Sequence, residues 1–101
     1  MAEENPVYEF DWDEEKATEN RRKHRVGFEE AATVFLDPRA LSVYDTDHSA
    51  GEDRWVTLGL SSAGRLLVVC HTFREAGDAE ALIRLISSRK ATKKEDQQYG
   101  K

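Results

Sequence analysis

The sequence predicts an α+β domain, a small antiparallel sheet with two N-terminal helices and a C-terminal helix, and three observations carry that expectation. Apolar residues recur at helical spacing before Pro38 and at a spacing of two after it. Beyond Pro38, runs rich in β-branched and aromatic residues follow one another, separated by turn-forming stretches. Helices and strands are thus segregated along the chain, which places the helices on one face of the sheet. With 101 residues, 39% of them hydrophobic, there is material for one modest core, so residues 1–101 are read as a single domain.

Residues 7–12 alternate, with Tyr8, Phe10 and Trp12 on one side and Val7, Glu9 and Asp11 on the other, as in a strand with one buried face. Asp11 and Glu14 have capping-box spacing, which predicts a helix from there to about His24. Ala17, Asn20, Arg21 and His24 form one stripe of that helix, and it is polar. Phe28, Ala31, Ala32 and Phe35 follow amphipathic spacing and predict a second helix over 28–35, stopped by Asp37-Pro38 because the residue before proline is driven out of the helical region. Strands are expected over 41–44, 54–60, 65–73 and 82–87. The turn at 61–64 is short enough for an antiparallel hairpin, and the apolar run 66–70 suits a central strand. Thr92 with Glu95 makes another capping box and starts a last helix through Tyr99.

The net charge of -5 argues against a protein that coats nucleic acid, yet the charges are segregated. Residues 1–19 hold eight acidic and one basic side chain, whereas 84–101 hold six basic and two acidic, and Arg21, Arg22, Lys23 and Arg25 form a second basic cluster. The single cysteine, Cys70, makes no internal disulfide. With no apolar N-terminal leader and no run long enough for a bilayer, a cytoplasmic address and no membrane contact are expected.

Most motifs tested fail on spacing. Asp45-Thr46-Asp47-His48-Ser49 opens like a calcium loop, but Ala50 and Val56 stand where the turn glycine and the bidentate glutamate belong. The glycines are isolated, so neither a phosphate loop nor a dinucleotide fingerprint exists, and no cofactor is expected. Cys70 and His71 are neighbours in a strand and point to opposite faces, which excludes both a zinc pair and a nucleophile–base dyad. Cys70 reads as a small buried hydrophobe. His71 shares its parity with Leu67, Val69 and Phe73 and is either a satisfied core histidine or an acid–base group.

Arg84 interrupts an apolar strand and Arg89 closes it. Guanidinium suits phosphate, because it makes paired hydrogen bonds and stays charged. Five positions apart, the two face opposite ways unless the strand ends near Ser87. Arg84 is otherwise an ion-pair partner for the acidic first strand, Glu9 being one candidate. Lys90, Lys93 and Lys94 sit at or before a helix start, where they oppose the helix dipole and so point to an anion. Tyr99 lies within reach for base stacking or anchors the tail.

Phe10-Asp11-Trp12-Asp13-Glu14, Asn20, Lys23-His24, Phe28-Glu29-Glu30-Ala31, Asp47-His48-Ser49, Glu52-Asp53-Arg54, Ile86-Ser87-Ser88-Arg89-Lys90-Ala91-Thr92 and Tyr99 together resemble the BrnT family of bacterial toxins across nearly the whole chain. The resemblance implies a RelE-like fold and a ribonuclease that halts translation. It also implies a cognate antitoxin, a DNA-binding BrnA-like protein, held in a toxin–antitoxin hetero-oligomer. RNA supplies its own nucleophile, the 2′-hydroxyl, so the protein need only move protons and stabilise charge, with no metal. In that frame Arg84, Arg89, Arg65 and His71 are the catalytic candidates, and Lys90, Lys93, Lys94 and Tyr99 the RNA-binding ones. The alternative is a catalytically silent antitoxin-binding protein acting in autoregulation of its operon. Two departures stand out. Arg25 replaces the glycine usual after Lys-His, with Gly27 expected to take over the turn, and the acidic segment 75–81 is longer than usual.

Overall fold

The computed structural model describes residues 7–99. The chain runs through β1 (Val7–Asp11), α1 (Glu14–His24), α2 (Phe28–Ala32), a 3-10 turn (Thr33–Leu36), β2 (Leu41–Tyr44), a second 3-10 turn (Thr46–His48), β3 (Arg54–Leu60), β4 (Leu66–Thr72), β5 (Arg74–Glu75), β6 (Glu80–Lys90) and α3 (Lys93–Gln98). The six strands form one sheet in the order β1-β6-β4-β3-β2, with the short β5 also on β6.

The first helix begins two residues later than the capping-box spacing suggests. Asp13, not Asp11, is the N-cap, its carboxylate accepting from the amides of Glu15 and Lys16, while Asp11 stays in the strand. The second helix is shorter than the apolar spacing predicts. It tightens to a 3-10 turn at Thr33, whose hydroxyl donates to the Glu30 carbonyl and accepts from the Ser62 amide. There β3 passes close beneath, and a Cβ on Gly59 would lie 3.1 Å from that of Val34, which explains a glycine inside a strand.

The sheet is antiparallel except at one edge, where β1 pairs parallel to β6. The first two helices cover one face, and the core lies between: Val26, Phe28, Ala31 and Val34 against Leu67, Val69, Ile83 and Leu85. Tyr8, Phe10, Trp12 and Phe35 close its edge with tilted and edge-on aromatic contacts. Residues of opposite parity, among them Val56, Leu58, Val68, Cys70 and Arg84, belong to the other face, where Leu58 and Val68 are still buried and Arg84 is exposed. Cys70 is therefore only half-buried, not the buried hydrophobe its apolar run suggests.

The last strand does not stop at Ser87 but continues through Lys90. Opposite β4 it pairs Arg89 with Val68, Ser88 with Val69 and Ser87 with Cys70, and then Leu85 with His71, so that Ile86 is the extra residue of a β-bulge. The bulge inverts the side-chain parity once. Ala81, Ile83 and Leu85 are buried before it and Ser88 after it, all toward the helices.

Candidate active site

That inversion decides where the two central arginines point. Five apart in an unbroken strand, they would face opposite ways. With Ile86 bulged, Arg84 and Arg89 both lie on the face that α1 and α2 leave open. They share a face and not a point, because extended strand separates them by roughly 15 Å at ~3.3 Å per residue.

Both already hold carboxylates. Arg84 Nη1 donates to Asp11 at 2.8 Å, and the parallel register explains why Asp11 and not Glu9 is its partner, since Asp11 lies opposite Arg84 and Glu9 opposite Leu82. Both members of this pair are more than half exposed, and exposed ion pairs are worth at most about 1 kcal/mol, so a phosphate can displace Asp11 at little cost. Arg89 is held more firmly, in a bidentate pair with Glu95, both bonds 2.8 Å. Glu95 also accepts from the Thr92 amide, and Thr92 caps Glu95 in return, the reciprocal box the spacing predicts. The Arg89 guanidinium is the main reason the Glu95 carboxyl is pulled down to about 2. Arg89 thus ties α3 to the open face.

Around Arg84 lies a cleft of about 500 Å³, lined by Glu9, Asp11, Glu52, Asp53, Arg74 and Thr72 among others. Its carboxylates outnumber its cations, so the charge of this cleft does not by itself gather phosphate. A second, basic cleft of about 330 Å³ lies at the far end of β6, where Arg65, Lys90 and Lys93 come together beside Thr92 and Asp96. Arg65 is also structural. Its guanidinium pairs with both oxygens of Glu30 and donates to the Arg25 carbonyl, tying the β3–β4 hairpin to α2 and to the end of α1. Lys94 is exposed in the first turn of α3. Tyr99, the C-cap residue, donates its hydroxyl to Asp37, so its ring anchors the tail.

His71 is apart from all of these. It lies on the helix-covered face, 2% exposed, with Phe35 edge-on to its ring at 4.7 Å between centroids. Nδ1 donates to the Thr72 carbonyl at 2.9 Å, which leaves Nε2 as acceptor for the Thr57 hydroxyl at 2.7 Å. Thr57 in turn accepts from Ser42. Burial pushes its pKa down. Neither nitrogen faces the open side of the sheet, so the acid–base role the strand parity suggests meets a neutral, doubly bonded core histidine.

Sequence reasoning passed over a different histidine. His48 ends the 3-10 turn after β2, its side chain 68% exposed, and Nδ1 lies 3.0 and 3.1 Å from the two carboxylate oxygens of Asp45. It lines a depression of about 370 Å³ with Glu52 and Arg54, and Glu52 also lines the cleft around Arg84. The Nε–H of Arg54 is buried with no hydrogen-bond partner among the described residues, and Glu52 reaches Arg54 Nη2 at only 3.8 Å. The available signal was Asp45-Thr46-Asp47-His48, whose carboxylate and imidazole three residues apart meet in one turn; weighed as a calcium loop, it concealed an Asp–His pair.

Among the described residues no group of three or more His, Cys, Asp or Glu side chains is arranged to hold a metal, and no helix is long and apolar enough to cross a membrane. Residues 12–95 match the family described as the ribonuclease toxin BrnT of type II toxin–antitoxin systems. In fold the chain is similar to the crystal structure of the Brucella abortus ribonuclease toxin BrnT, with a TM-score of 0.58 at 20% identity, over 86% of this chain and 99% of that one. No curated protein sequence matches. A match across most of the chain, on a fold of the same kind, establishes that this protein belongs to the BrnT family of ribonuclease toxins.

Proposed function

We propose that the chain is the toxin of a type II toxin–antitoxin pair and a RelE-like, metal-independent endoribonuclease that works in the cytoplasm and stops translation by cutting RNA. The observation that carries this reading is the β-bulge at Ile86, which sets Arg84 and Arg89 along one open face. A strand of RNA lying along β6 meets Arg84 at the acidic cleft and Arg89 farther along the same face, and rounds the end of the strand to reach Lys90 and Lys93 in the basic one. In this reading Arg84 exchanges Asp11 for the scissile phosphate and stabilises its developing charge. Arg65, Lys90, Lys93 and Lys94 hold the flanking phosphates, and Arg89 keeps α3 in place beside them. The 2′-oxygen attacks phosphorus and the 5′-oxygen leaves, giving a 2′,3′-cyclic phosphate.

The test is cleavage of labelled RNA, naked and on translating ribosomes, by the antitoxin-free protein with chelator present. Chelator-resistant cutting with cyclic phosphate ends, lost in Arg84→Ala, is the expected result. A folded protein that cuts neither substrate overturns the reading.

A second reading rests on the same face. Leu41, Val43 and Leu60 are exposed there, and Arg84 and Arg89 already hold carboxylates, as they would in a catalytically silent protein that binds a DNA-binding, BrnA-like antitoxin. It predicts a tight hetero-oligomer with the product of the neighbouring gene, affinity that falls little with salt, and no toxicity on expression alone.

A further inference from the structure

We propose that His48, held by Asp45, is the proton-accepting catalytic residue of this protein, with Arg54 beside it binding the same phosphate. The inference rests on the ribonuclease reading and replaces the buried histidine with an accessible one.

Three observations carry it. First, the Asp45 carboxylate sits at hydrogen-bond distance from Nδ1, so Nδ1 carries the proton and Nε2 of the neutral ring is left with its lone pair directed away from Asp45. Asp45 itself is fixed, since its side chain caps the turn through the Asp47 amide and is only 20% exposed, so the imidazole is oriented by a group that does not move. Second, the Arg54 side chain lines the same depression, and its buried Nε–H has no acceptor among the described residues, a spare donor for a water or a ligand oxygen that enters there. Third, Glu52 lines both this depression and the Arg84 cleft, so the two are contiguous and a bound RNA strand passes from one to the other. The charged groups facing the imidazole are Asp45 on the segment before it and Glu52 and Arg54 on the returning segment. Asp53 is engaged with the Tyr44 hydroxyl.

The step balances without a further reagent. Nε2 takes the proton of the 2′-hydroxyl as the 2′-oxygen to phosphorus bond forms. The bond from phosphorus to the 5′-oxygen breaks, and that oxygen takes a proton from solvent. The imidazolium then returns its proton to solvent. Arg54 and Arg84 carry the charge gained by the non-bridging oxygens.

The experiment is single-turnover cleavage of labelled single-stranded RNA and of RNA on translating ribosomes, across pH 5 to 9, by the full chain and by His48→Gln, His48→Ala and Asp45→Asn. The exposed His24→Gln serves as control, and thermal melts check folding. His48→Gln is expected to lose about 100-fold or more at unchanged melting temperature and to lose the limb of the pH profile that a histidine base imposes. Added imidazole is expected to restore part of the rate to His48→Ala. Asp45→Asn, which keeps the turn cap, is expected to lose about tenfold by leaving the ring unoriented. His48→Gln cutting within threefold of the wild type, or keeping its pH limb, overturns the role of His48 alone. A wild type that cuts neither substrate overturns the ribonuclease reading and this role with it.

Discussion

Asn20 and Ser88 exchange two hydrogen bonds across 68 residues of chain. The Asn20 amide donates to the Ser88 carbonyl and the Ser88 amide donates to the Asn20 side-chain oxygen, each at 2.9 Å, and the same side-chain nitrogen also reaches the Val26 carbonyl. Beyond Arg84 the β1 side of β6 has no strand partner among the described residues, and this one side chain stands in for the missing ladder. It is the reason a polar residue lies 5% exposed on the inner face of α1. The bulge, the direction of Arg89 and the packing of α1 therefore depend on one amide.

Replacing Asn20 with Leu is expected to cost about 2–4 kcal/mol, since the buried amide and carbonyl of Ser88 would both be orphaned. Urea unfolding measures it, and an Asn20→Leu variant as stable as wild type would show that the backbone finds other partners. Asn20→Asp keeps the acceptor but sets a buried carboxylate oxygen against the carbonyls of Ser88 and Val26, so a loss at least as large is expected at neutral pH.

The turn between the first two helices offers a gain in stability. Arg25 ends α1 in the left-handed region at φ 60, whereas Gly27 sits at φ −82 and has not taken over the turn. A side chain in that region costs roughly 1–2 kcal/mol, which glycine avoids. Arg25→Gly is expected to raise stability by about 1 kcal/mol in the same assay. The bond from Arg65 goes to the Arg25 carbonyl and survives the change.

Stability is expected to decline as pH falls below 6.5, through His71. Its folded-state pKa is lowered from 6.5 by burial, so the unfolded chain binds the proton first and acid draws the equilibrium toward it. The stability His71 contributes is complete above the unfolded value and shrinks below it. Subtracting the profile of His71→Gln from that of the wild type isolates this from His24 and His48. A flat difference between pH 8 and 5 would mean that His71 titrates equally in both states.

Much of this architecture was legible in the sequence, because it follows from periodicity and spacing. The alternation of Tyr8, Phe10 and Trp12, the hairpin at 61–64 and the Thr92–Glu95 box are local patterns with one physical solution. The parallel pairing of β1 to β6 and the bulge at Ile86 are not local. Each is fixed by residues some seventy positions apart or by one added residue that no period reveals. The site was hidden for the same reason. His71 looked anomalous in its strand yet is satisfied by Thr57 and Thr72, while His48 looked ordinary in an acidic loop until the turn closed it onto Asp45.

Deleting Ile86 tests the register. Without the bulge, the parity of Ala81, Ile83 and Leu85 inverts relative to Ser88 and Arg89, so either the core residues or the C-terminal end of β6 must face the wrong way. Loss of cooperative unfolding and of near-ultraviolet circular dichroism is expected. A native-like spectrum from the deletion would contradict the assigned register.

The two arginines on the open face should separate activity from stability. Arg84 and Asp11 are both mostly exposed, so Arg84→Ala is expected to leave the melting temperature unchanged and to lower RNA cleavage about 100-fold or more. Arg84→Lys keeps the charge and loses the paired hydrogen bonds, and is expected to recover only part of that loss. Arg89→Ala differs, because it strands Glu95, whose Oε1 also accepts from the Thr92 amide at the start of α3. A cost of about 1–2 kcal/mol is expected, with loose attachment of residues 93–98 visible as faster amide exchange, and any loss of cleavage follows from that loosening. Glu95→Gln should reproduce the stability loss of Arg89→Ala while keeping Arg89 free for phosphate. If Glu95→Gln cleaves RNA as the wild type does and Arg89→Ala does not, Arg89 touches the substrate itself. If the two fall together, Arg89 serves only to hold the helix.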